Sequence, residues 1–150
     1  MRFEIDDTSR RILDELQTNA RATYSEIGRR VGLTAPAVAE RVRRLEDDGI
    51  ITGYHAAINP RPLGLPITVF IQVISKTGQC TPISEFALRQ PGVTECYHIT
   101  GDRDVLIKAS LDSVEAVEAL VNRLSIHGNV STSLVLAERS QPLAFTPPEK

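Results

Sequence analysis

Three prolines and one glycine fall within the eight residues from Asn59 to Pro66. Proline has no backbone N–H to donate and glycine loosens the backbone, so this composition breaks both helices and strands. The segment therefore divides the chain. We expect an N-terminal domain over residues 1–58, a hinge over residues 59–66 and a C-terminal domain over residues 67–150.

The N-terminal part predicts three short helices. The first begins near Asp6 or Asp7, either of which can cap exposed backbone N–H groups. The second opens with a capping box over residues 23–26, and Thr34 is placed to cap a third helix that runs to about Asp47. Two short helices joined by a tight turn containing glycine are typical of a helix-turn-helix. Residues 50–58 are β-branched and partly alternating, which predicts a strand or short hairpin and suits a wing.

The C-terminal part predicts alternating strands and helices. Apolar and polar residues alternate in the first strand, and Thr81 and Pro82 suit the cap and first position of a helix. The predicted order is strand 67–73, helix from residue 82, strands 93–100 and 104–111, helix from about residue 113 to 127, and strand 130–138. This βαββαβ order is the ferredoxin-like arrangement. The expected fold class is α+β, a winged helix-turn-helix followed by a ferredoxin-like domain.

The face of that sheet that carries no helices is too apolar to be exposed to water. Both helices lie on one face of a ferredoxin-like sheet, yet Phe70, Ile74, Leu134 and Val135 make the strands too apolar for the other face to be wet. An open sheet of this size usually buries that face against a second subunit. We expect a homodimer through the C-terminal domain.

Charge is concentrated in the predicted helix-turn-helix. Residues 21–44 hold six arginines and two glutamates, a local charge of +4, whereas the whole chain carries −2. Phosphates respond to the local field, so a basic patch on an acidic protein can bind DNA. The chain therefore predicts a partner that is double-stranded DNA, in the form of an operator.

The third helix is the predicted recognition helix of the helix-turn-helix. Helical geometry places Pro36, Glu40, Arg43 and Arg44 opposite the apolar residues Val38, Val42 and Leu45. Small residues at the helix start allow close approach to base edges, and arginines can reach phosphates or guanine. The predicted DNA-binding residues are Thr23, Thr34, Ala35, Pro36, Ala37, Glu40, Arg41, Arg43 and Arg44. The alternative is a solvated surface helix whose arginines only pair with Glu40, Glu46 and Asp48.

Other classes of protein lack support in the sequence. No stretch approaches the roughly 18 apolar residues of a membrane span, and Met1 leads into charged residues, so we expect a cytoplasmic protein with no membrane partner. Cys80 and Cys96 have neither a CxxC pairing nor a histidine at ligand spacing, which indicates no disulfide framework and no metal site. No motif of a catalytic triad, phosphate loop or carboxylate pair occurs, so no catalytic residue and no cofactor are predicted.

Several segments together resemble the Lrp/AsnC family, also called feast/famine regulatory proteins. They occur in the family's order and cover nearly the whole chain, and they are residues 10–17, 31–34, 40–46, 49–54, 58–60 and 96–104. The resemblance implies dimers that pair through their sheets, often with four dimers closing into an octameric ring. It also implies that an amino acid or related small molecule binds between dimers as an effector.

The resemblance places that effector beside a Gly-Asp-x-Asp turn. On this chain the corresponding positions are Gly101, Asp102 and Asp104, and the predicted effector site is completed by His98, Thr100 and Arg103. A glycine leaves the backbone open to a ligand, and charged groups of both signs suit an ammonium and a carboxylate. The alternative is that Gly-Asp serves only a tight hairpin turn. Family members commonly carry aromatic residues where this chain has Arg103 and Val105, which leaves the preferred ligand open.

Two other functions are alternatives for a chain of this kind. Some proteins that resemble this family are haem-biosynthesis decarboxylases, which use histidines and arginines to bind a tetrapyrrole. Here His55, His98 and His127 share neither a helix face nor a short spacing, and that function would leave the arginine-rich helix without a task. The second alternative is a sensing module that does not bind DNA, and the intact N-terminal half argues against it. We therefore expect a regulator and not an enzyme.

Overall fold

The structure is a computed structural model that describes residues 5–138. These residues divide into two compact units, residues 5–56 and residues 57–138. Each unit has its own hydrophobic core.

Three helices form within residues 5–56, at the places the sequence predicts. They are α1 (Asp7–Thr18), α2 (Tyr24–Val31) and α3 (Ala35–Asp47). Their caps are Asp6, Thr23 and Thr34, and each cap side chain accepts a hydrogen bond from a backbone N–H in the first turn. The capping box of α2 is complete, because the Glu26 carboxylate also accepts from the Thr23 N–H at 2.7 Å. The helix-turn-helix is thus confirmed.

The apolar stripes of the three helices meet in one core. Gly32 lies in the left-handed region with φ of +78°, which lets the chain turn sharply from α2 into α3. Leu33 in that turn and Ile51 after α3 pack against the core from its edges. The buried residues are Ile12, Leu16, Ile27, Val31, Val38 and Val42.

The strand predicted over residues 50–58 does not form within the described residues, and that prediction is corrected. The N–H groups of Ile50 and Ile51 both donate to the carbonyl of Leu45, which ends α3 instead of starting a ladder. The Tyr54 hydroxyl donates to Glu46 Oε1 at 2.9 Å, so the segment returns along α3. A strand needs a neighbouring strand to take up its backbone groups, and residues 5–138 provide none here. The β-branched pattern alone was not enough.

Four strands and two α-helices form within residues 57–138, after a short 3-10 helix over Arg61–Leu63. The strands make one antiparallel sheet in the order β2-β3-β1-β4, which is the ferredoxin-like order. The fold class α+β is confirmed. The elements are β1 (Ile67–Ser75), α4 (Thr81–Leu88), β2 (Val93–His98), β3 (Val105–Leu111), α5 (Val114–Ser125) and β4 (Gly128–Leu134).

Several boundaries differ from the prediction: β1 ends at Ser75, β2 ends at His98 and β3 begins at Val105, and the ends of α4 and β4 also move. Helix α4 is capped by Cys80, whose side chain makes no capping hydrogen bond, so Thr81 is the first helical residue and not the cap. Strand β4 lies at residues 128–134 instead of 130–138. Its partner β1 begins at Ile67, and the bond from the Val135 N–H to the Thr68 carbonyl is close to the last that β1 can offer.

The register separates the two faces of the sheet. Val69, Ile71 and Val73 are buried beneath the helices, whereas Phe70 and Ile74 point to the opposite face and are only half-buried. Leu134 stands opposite Val69 and so belongs to the helix side, which differs from its predicted contribution to the open face. Within residues 5–138 no helix has the length and apolarity needed to cross a membrane.

Candidate functional site

The exposed face of α3 is fixed by what the helix buries. Val38, Val42 and Leu45 are at most 1% exposed, so the opposite face of α3 meets solvent. That face carries Glu40 and, about one turn later, Arg43 and Arg44. Of the sequence-predicted residues of α3, Pro36 also lies on this surface and Ala37 at its edge, whereas Ala35 and Arg41 lie to its sides. We call the surface formed by Pro36, Ala37, Glu40, Arg43 and Arg44 the α3 face.

Glu40 is held between the two arginines that follow it. Its two carboxylate oxygens accept hydrogen bonds from Arg43 Nη2 at 3.2 and 3.1 Å, and Oε1 also accepts from Arg44 Nε at 3.2 Å. These pairs have the i,i+3 and i,i+4 spacing at which helical side chains meet. The hydrogen bonds from Arg43, and next those from Arg44, lower the pKa of Glu40. Glu40 is thus a carboxylate on a face otherwise rich in cations.

Arg41 faces a different partner. Its Nη1 lies 2.6 Å from Asp6 Oδ2 and 3.0 Å from Ser9 Oγ, so it joins α3 to the start of α1. Asp6 also caps α1 by accepting from the Ser9 N–H at 2.7 Å. The Arg41 hydrogen bond, followed by that of the Ser9 backbone, lowers the pKa of Asp6 to about 2. In the described structure Arg41 holds two helices together.

The two predicted threonines are engaged as caps. Thr34 Oγ1 accepts from the Ala37 N–H at 3.4 Å, and Thr23 Oγ1 accepts from the Glu26 N–H at 3.2 Å. The Thr23 hydroxyl also lies 2.8 Å from Glu26 Oε2. Both side chains are exposed at the start of a helix. Their placement positions α2 and α3, and their contact with DNA stays a prediction.

The remaining arginines of the basic segment divide into paired and unpaired groups. Arg30 pairs with Glu15 of α1, and the hydrogen bond to Glu15 raises the pKa of Arg30. Arg21 and Arg29 are exposed, and neither side chain forms a hydrogen bond or a salt bridge within residues 5–138, although the charge of Arg29 acts on Glu26. An ion pair at an exposed site is weak because solvent screens it, so a phosphate can replace a paired carboxylate at little cost. The basic segment can therefore receive anions.

The second predicted site is the connection between β2 and β3. The Ile99 N–H donates to the Asp104 carbonyl at 3.0 Å, which closes the turn. The Asp104 N–H donates to the Val73 carbonyl at 3.1 Å, and Asp104 Oδ2 accepts from the Ser75 N–H at 2.7 Å. Asp104 therefore fastens the turn to the end of β1. One of its carboxylate oxygens is already in use.

The other residues of the turn are more open. Gly101 has φ of +110°, and a Cβ added there would meet nothing within 4 Å in the described chain. Asp102 is exposed and Arg103 is half-exposed, and neither side chain has a partner within residues 5–138. His98 Nε2 lies 2.7 Å from the Ser84 hydroxyl on α4, and Thr100 is exposed. The turn thus offers an acceptor and a donor of opposite charge on a fixed backbone.

Four positioning residues lie outside the sequence predictions for these sites. They are Asp6 and Ser9 beside Arg41, Ser75 beside Asp104, and Ser84 beside His98. Asp6 was expected only as a cap. The pairs Asp6–Arg41 and Ser75–Asp104 are 35 and 29 residues apart in the chain, so no local pattern signals them.

Two family models match this chain. The AsnC-type helix-turn-helix domain matches residues 5–46, and the Lrp/AsnC ligand binding domain matches residues 68–143. Together they include most of the chain. The first covers α1 to α3, and the second begins within β1.

Sequence and structural relatives agree with these matches. An uncharacterized HTH-type transcriptional regulator of Bacillus subtilis, YezC, is 40% identical over 94% of this chain and 100% of its own length. The solved structure of B. subtilis LrpC is 30% identical, with a TM-score of 0.86 over 92% of this chain and 99% of that one. A Neisseria meningitidis transcriptional regulator solved as a complex with L-Met is 30% identical, with a TM-score of 0.82 over 92% and 94% of the two chains.

The pair of Asp6 and Arg41 makes stability depend on pH in a defined window. Asp6 has a pKa of about 2 in the folded chain, below its ordinary value of 3.8. A depressed folded pKa stabilises the fold above the unfolded pKa, and this stabilisation is lost as pH falls from about 4 to about 2. We expect Asp6→Asn to lower the free energy of unfolding at pH 5 and to have progressively less effect towards pH 2.

Denaturant unfolding of both proteins across this pH range checks the expectation. The matched control is the same substitution in an Arg41→Ala background, where the main cause of the pKa shift is gone. There the effect of Asp6→Asn should vary much less with pH. An equally pH-dependent effect in both backgrounds would show that Arg41 does not hold Asp6.

Proposed function

This chain belongs to the Lrp/AsnC family of DNA-binding transcriptional regulators, and we propose that it binds an operator through the α3 face and senses an amino acid at the β2–β3 turn. The family supplies the regulator and its ligand-binding domain. The residues that carry each task are our inference. The observation that supports it best is the arginine-bearing face of α3, opposite the buried stripe of the helix-turn-helix.

The α3 face suits the major groove of DNA. An α-helix fits that groove, and the second helix of a helix-turn-helix enters it with its N-terminal residues nearest the bases. Ala35, Pro36 and Ala37 are small enough to let the backbone approach. Arg43 and Arg44 lie further along, where the guanidinium N–H groups that do not bond to Glu40 can reach phosphates. Arg41, held by Asp6, serves to set the angle of α3.

The open face of the sheet suits a second copy of this chain. Phe70 and Ile74 lie on that face without helices above them, and Tyr97 is 48% exposed beside them through the pairing of β2 with β3 and of β3 with β1. A two-fold dimer presents two α3 helices to two half-sites about one helical turn, or a multiple, apart. The operator should therefore be pseudo-palindromic. Four such dimers closing into a ring would make the octamer that the sequence resemblance implies.

The β2–β3 turn suits the two charged groups of an amino acid. Asp102 can accept from an α-ammonium, and Arg103 can donate two hydrogen bonds to an α-carboxylate. Gly101 leaves the backbone accessible beside them. The N. meningitidis relative was solved with L-Met, which supports an amino acid as the class of ligand. Such a ligand changes DNA binding only if it binds two assembly states with different affinity.

The enzyme alternative is set aside. The relatives named above are described as transcriptional regulators, and the family models describe DNA-binding and ligand-binding domains. His98 contacts Ser84 and the His127 ring lies 4.7 Å from that of Phe86, so these two histidines serve separate places in one unit. A regulator of this type acts where the DNA is, and we place the protein in the cytoplasm on that ground.

Arg44→Ala should weaken binding to every DNA sequence by a similar factor. The substitution removes one exposed cation that can contact a phosphate, so the slope of log affinity against log salt should fall by about one. Fluorescence anisotropy with an operator and with random duplexes at several salt concentrations measures both quantities. The control is Arg123→Ala, which removes an exposed arginine from α5. If Arg44→Ala left the affinity and the slope at wild-type values, the α3 face would not be the binding surface.

Phe70→Asp should convert the dimer to a monomer. A charge on the open face would be buried without a partner if two sheets packed together there. Light scattering measures the mass, and it also detects an assembly of four dimers. Leu88→Asp is the matched control, since Leu88 is exposed on α4 and away from that face. A Phe70→Asp protein that keeps the wild-type mass would contradict pairing through the sheets.

Asp102→Asn should weaken amino-acid binding about tenfold or more, the usual effect of losing one charge-assisted hydrogen bond. Calorimetry with each common amino acid measures this directly. Asp112→Asn is the control, because it changes the same charge at the far end of β3.

Gly101→Val should abolish binding, since valine is disfavoured at φ of +110° and would cover the turn. No heat from any amino acid with the wild-type protein would remove the turn from the mechanism.

A further inference from the structure

The first turn of α3 carries few groups that can form hydrogen bonds with bases. Ala35, Pro36 and Ala37 have apolar side chains, which can contact a thymine methyl group but cannot bond to a base edge. The Thr34 hydroxyl oxygen accepts from the Ala37 N–H and keeps its own O–H to donate. Recognition that uses more than this one hydroxyl therefore draws on the next turn of the helix. The polar side chain that stands there on the same face is Glu40.

Glu40 lies on the same face of α3 as Pro36 and Ala37. At about 100° per residue it lies roughly 40° from Pro36 around the helix axis. Its side chain is 45% exposed, so it can reach outward from α3. The structure also limits its freedom, because Arg43 and Arg44 hold its carboxylate by three hydrogen bonds. A group held by its neighbours in this way is oriented before any partner arrives.

The carboxylate of Glu40 still has room for one more donor. An ionised carboxylate offers about four acceptor sites and no donor. Arg43 and Arg44 use two bonds on Oε1, and Arg43 uses one on Oε2. One site on Oε2 is therefore open. Of the groups on a base edge, only a hydrogen-bond donor can bond to this open site on Oε2, because the carboxylate repels an acceptor.

We infer that Glu40 recognises the 4-amino group of a cytosine in the major groove, an inference that rests on the DNA-binding function proposed above. Guanine and thymine present acceptors in that groove, which a carboxylate repels. Adenine presents an amino group beside the N7 acceptor, so the gain at one atom is offset at the next. Cytosine presents the amino group without such an acceptor. Glu40 thereby selects a C·G pair and weakens binding to the other pairs.

The test compares the sequences that each protein selects from random duplexes. Wild-type protein should enrich one C·G pair at the same position of each half-site. Glu40→Gln should admit an A·T pair there, because an amide can donate to adenine N7 while it accepts from the amino group. Asp47→Asn is the matched control, since it removes one negative charge from the exposed side of the same helix. It should tighten binding to all sequences without changing the selected base pair.

A chemical change in the DNA tests the same contact with unaltered protein. N4-methylcytosine keeps its pairing with guanine but places a methyl group where the carboxylate would accept. At the selected position it should reduce wild-type affinity about tenfold, whereas Glu40→Ala should bind both duplexes equally. The same modification at a position outside the operator should have no effect on the wild-type protein.

The outcomes separate this inference from the function on which it rests. If Glu40→Gln selected the wild-type base pair, and N4-methylcytosine left wild-type affinity unchanged, Glu40 would act only through its charge and the inference would be wrong. The operator function would survive that result. If the wild-type protein enriched no sequence at all, the proposed operator function and this inference would both be overturned.

Discussion

Burial of one stripe of α3 governs the N-terminal unit. Each fully buried Val or Leu contributes about 1.5–3 kcal/mol relative to exposure, and Val38, Val42 and Leu45 are all at most 1% exposed. The ion pairs on the opposite side are exposed and screened by solvent, so each contributes much less than one buried side chain. Hydrophobic burial therefore decides how α3 is rotated. This rotation determines where the charged residues lie. Their ion pairs can change without changing the rotation of α3.

In the C-terminal unit polar contacts hold the β2–β3 turn in place, whereas in the N-terminal unit apolar burial holds α3. Asp104 closes the β2–β3 turn with its carbonyl and fastens it to β1 with its N–H and carboxylate. A turn with this many internal bonds presents its free side chains, Asp102 and Arg103, from a backbone that is already ordered. Little conformational entropy then remains to be lost when a ligand binds. In both units the residues proposed to meet a partner are held in place by others that have no such role.

Much of this architecture follows from local patterns in the sequence. Helix caps, the 3.6-residue stripes and the strand alternation depend on residues close together in the chain, and they predicted α1 to α3 and the βαββαβ order. The predicted strand over residues 50–58 failed because strand formation depends on a neighbour, and local β-propensity carries no such information. The extent of β4 was wrong for a related reason, since the length of β1 limits it. The contacts of Arg41 and Asp104 join distant parts of the chain, which a single sequence does not reveal.

Asp6 both caps α1 and pairs with Arg41. The acidic and basic residues of this ion pair therefore cannot be exchanged between the two positions. Coulomb's law would allow the two charges to be exchanged, with an arginine at position 6 and an aspartate at position 41. A helix cap needs an acceptor for the N–H groups of the first turn, and a guanidinium offers only donors. The reversed pair would keep its attraction and lose the start of α1. Among related chains, position 6 should therefore vary only among capping residues, while position 41 is free to follow it.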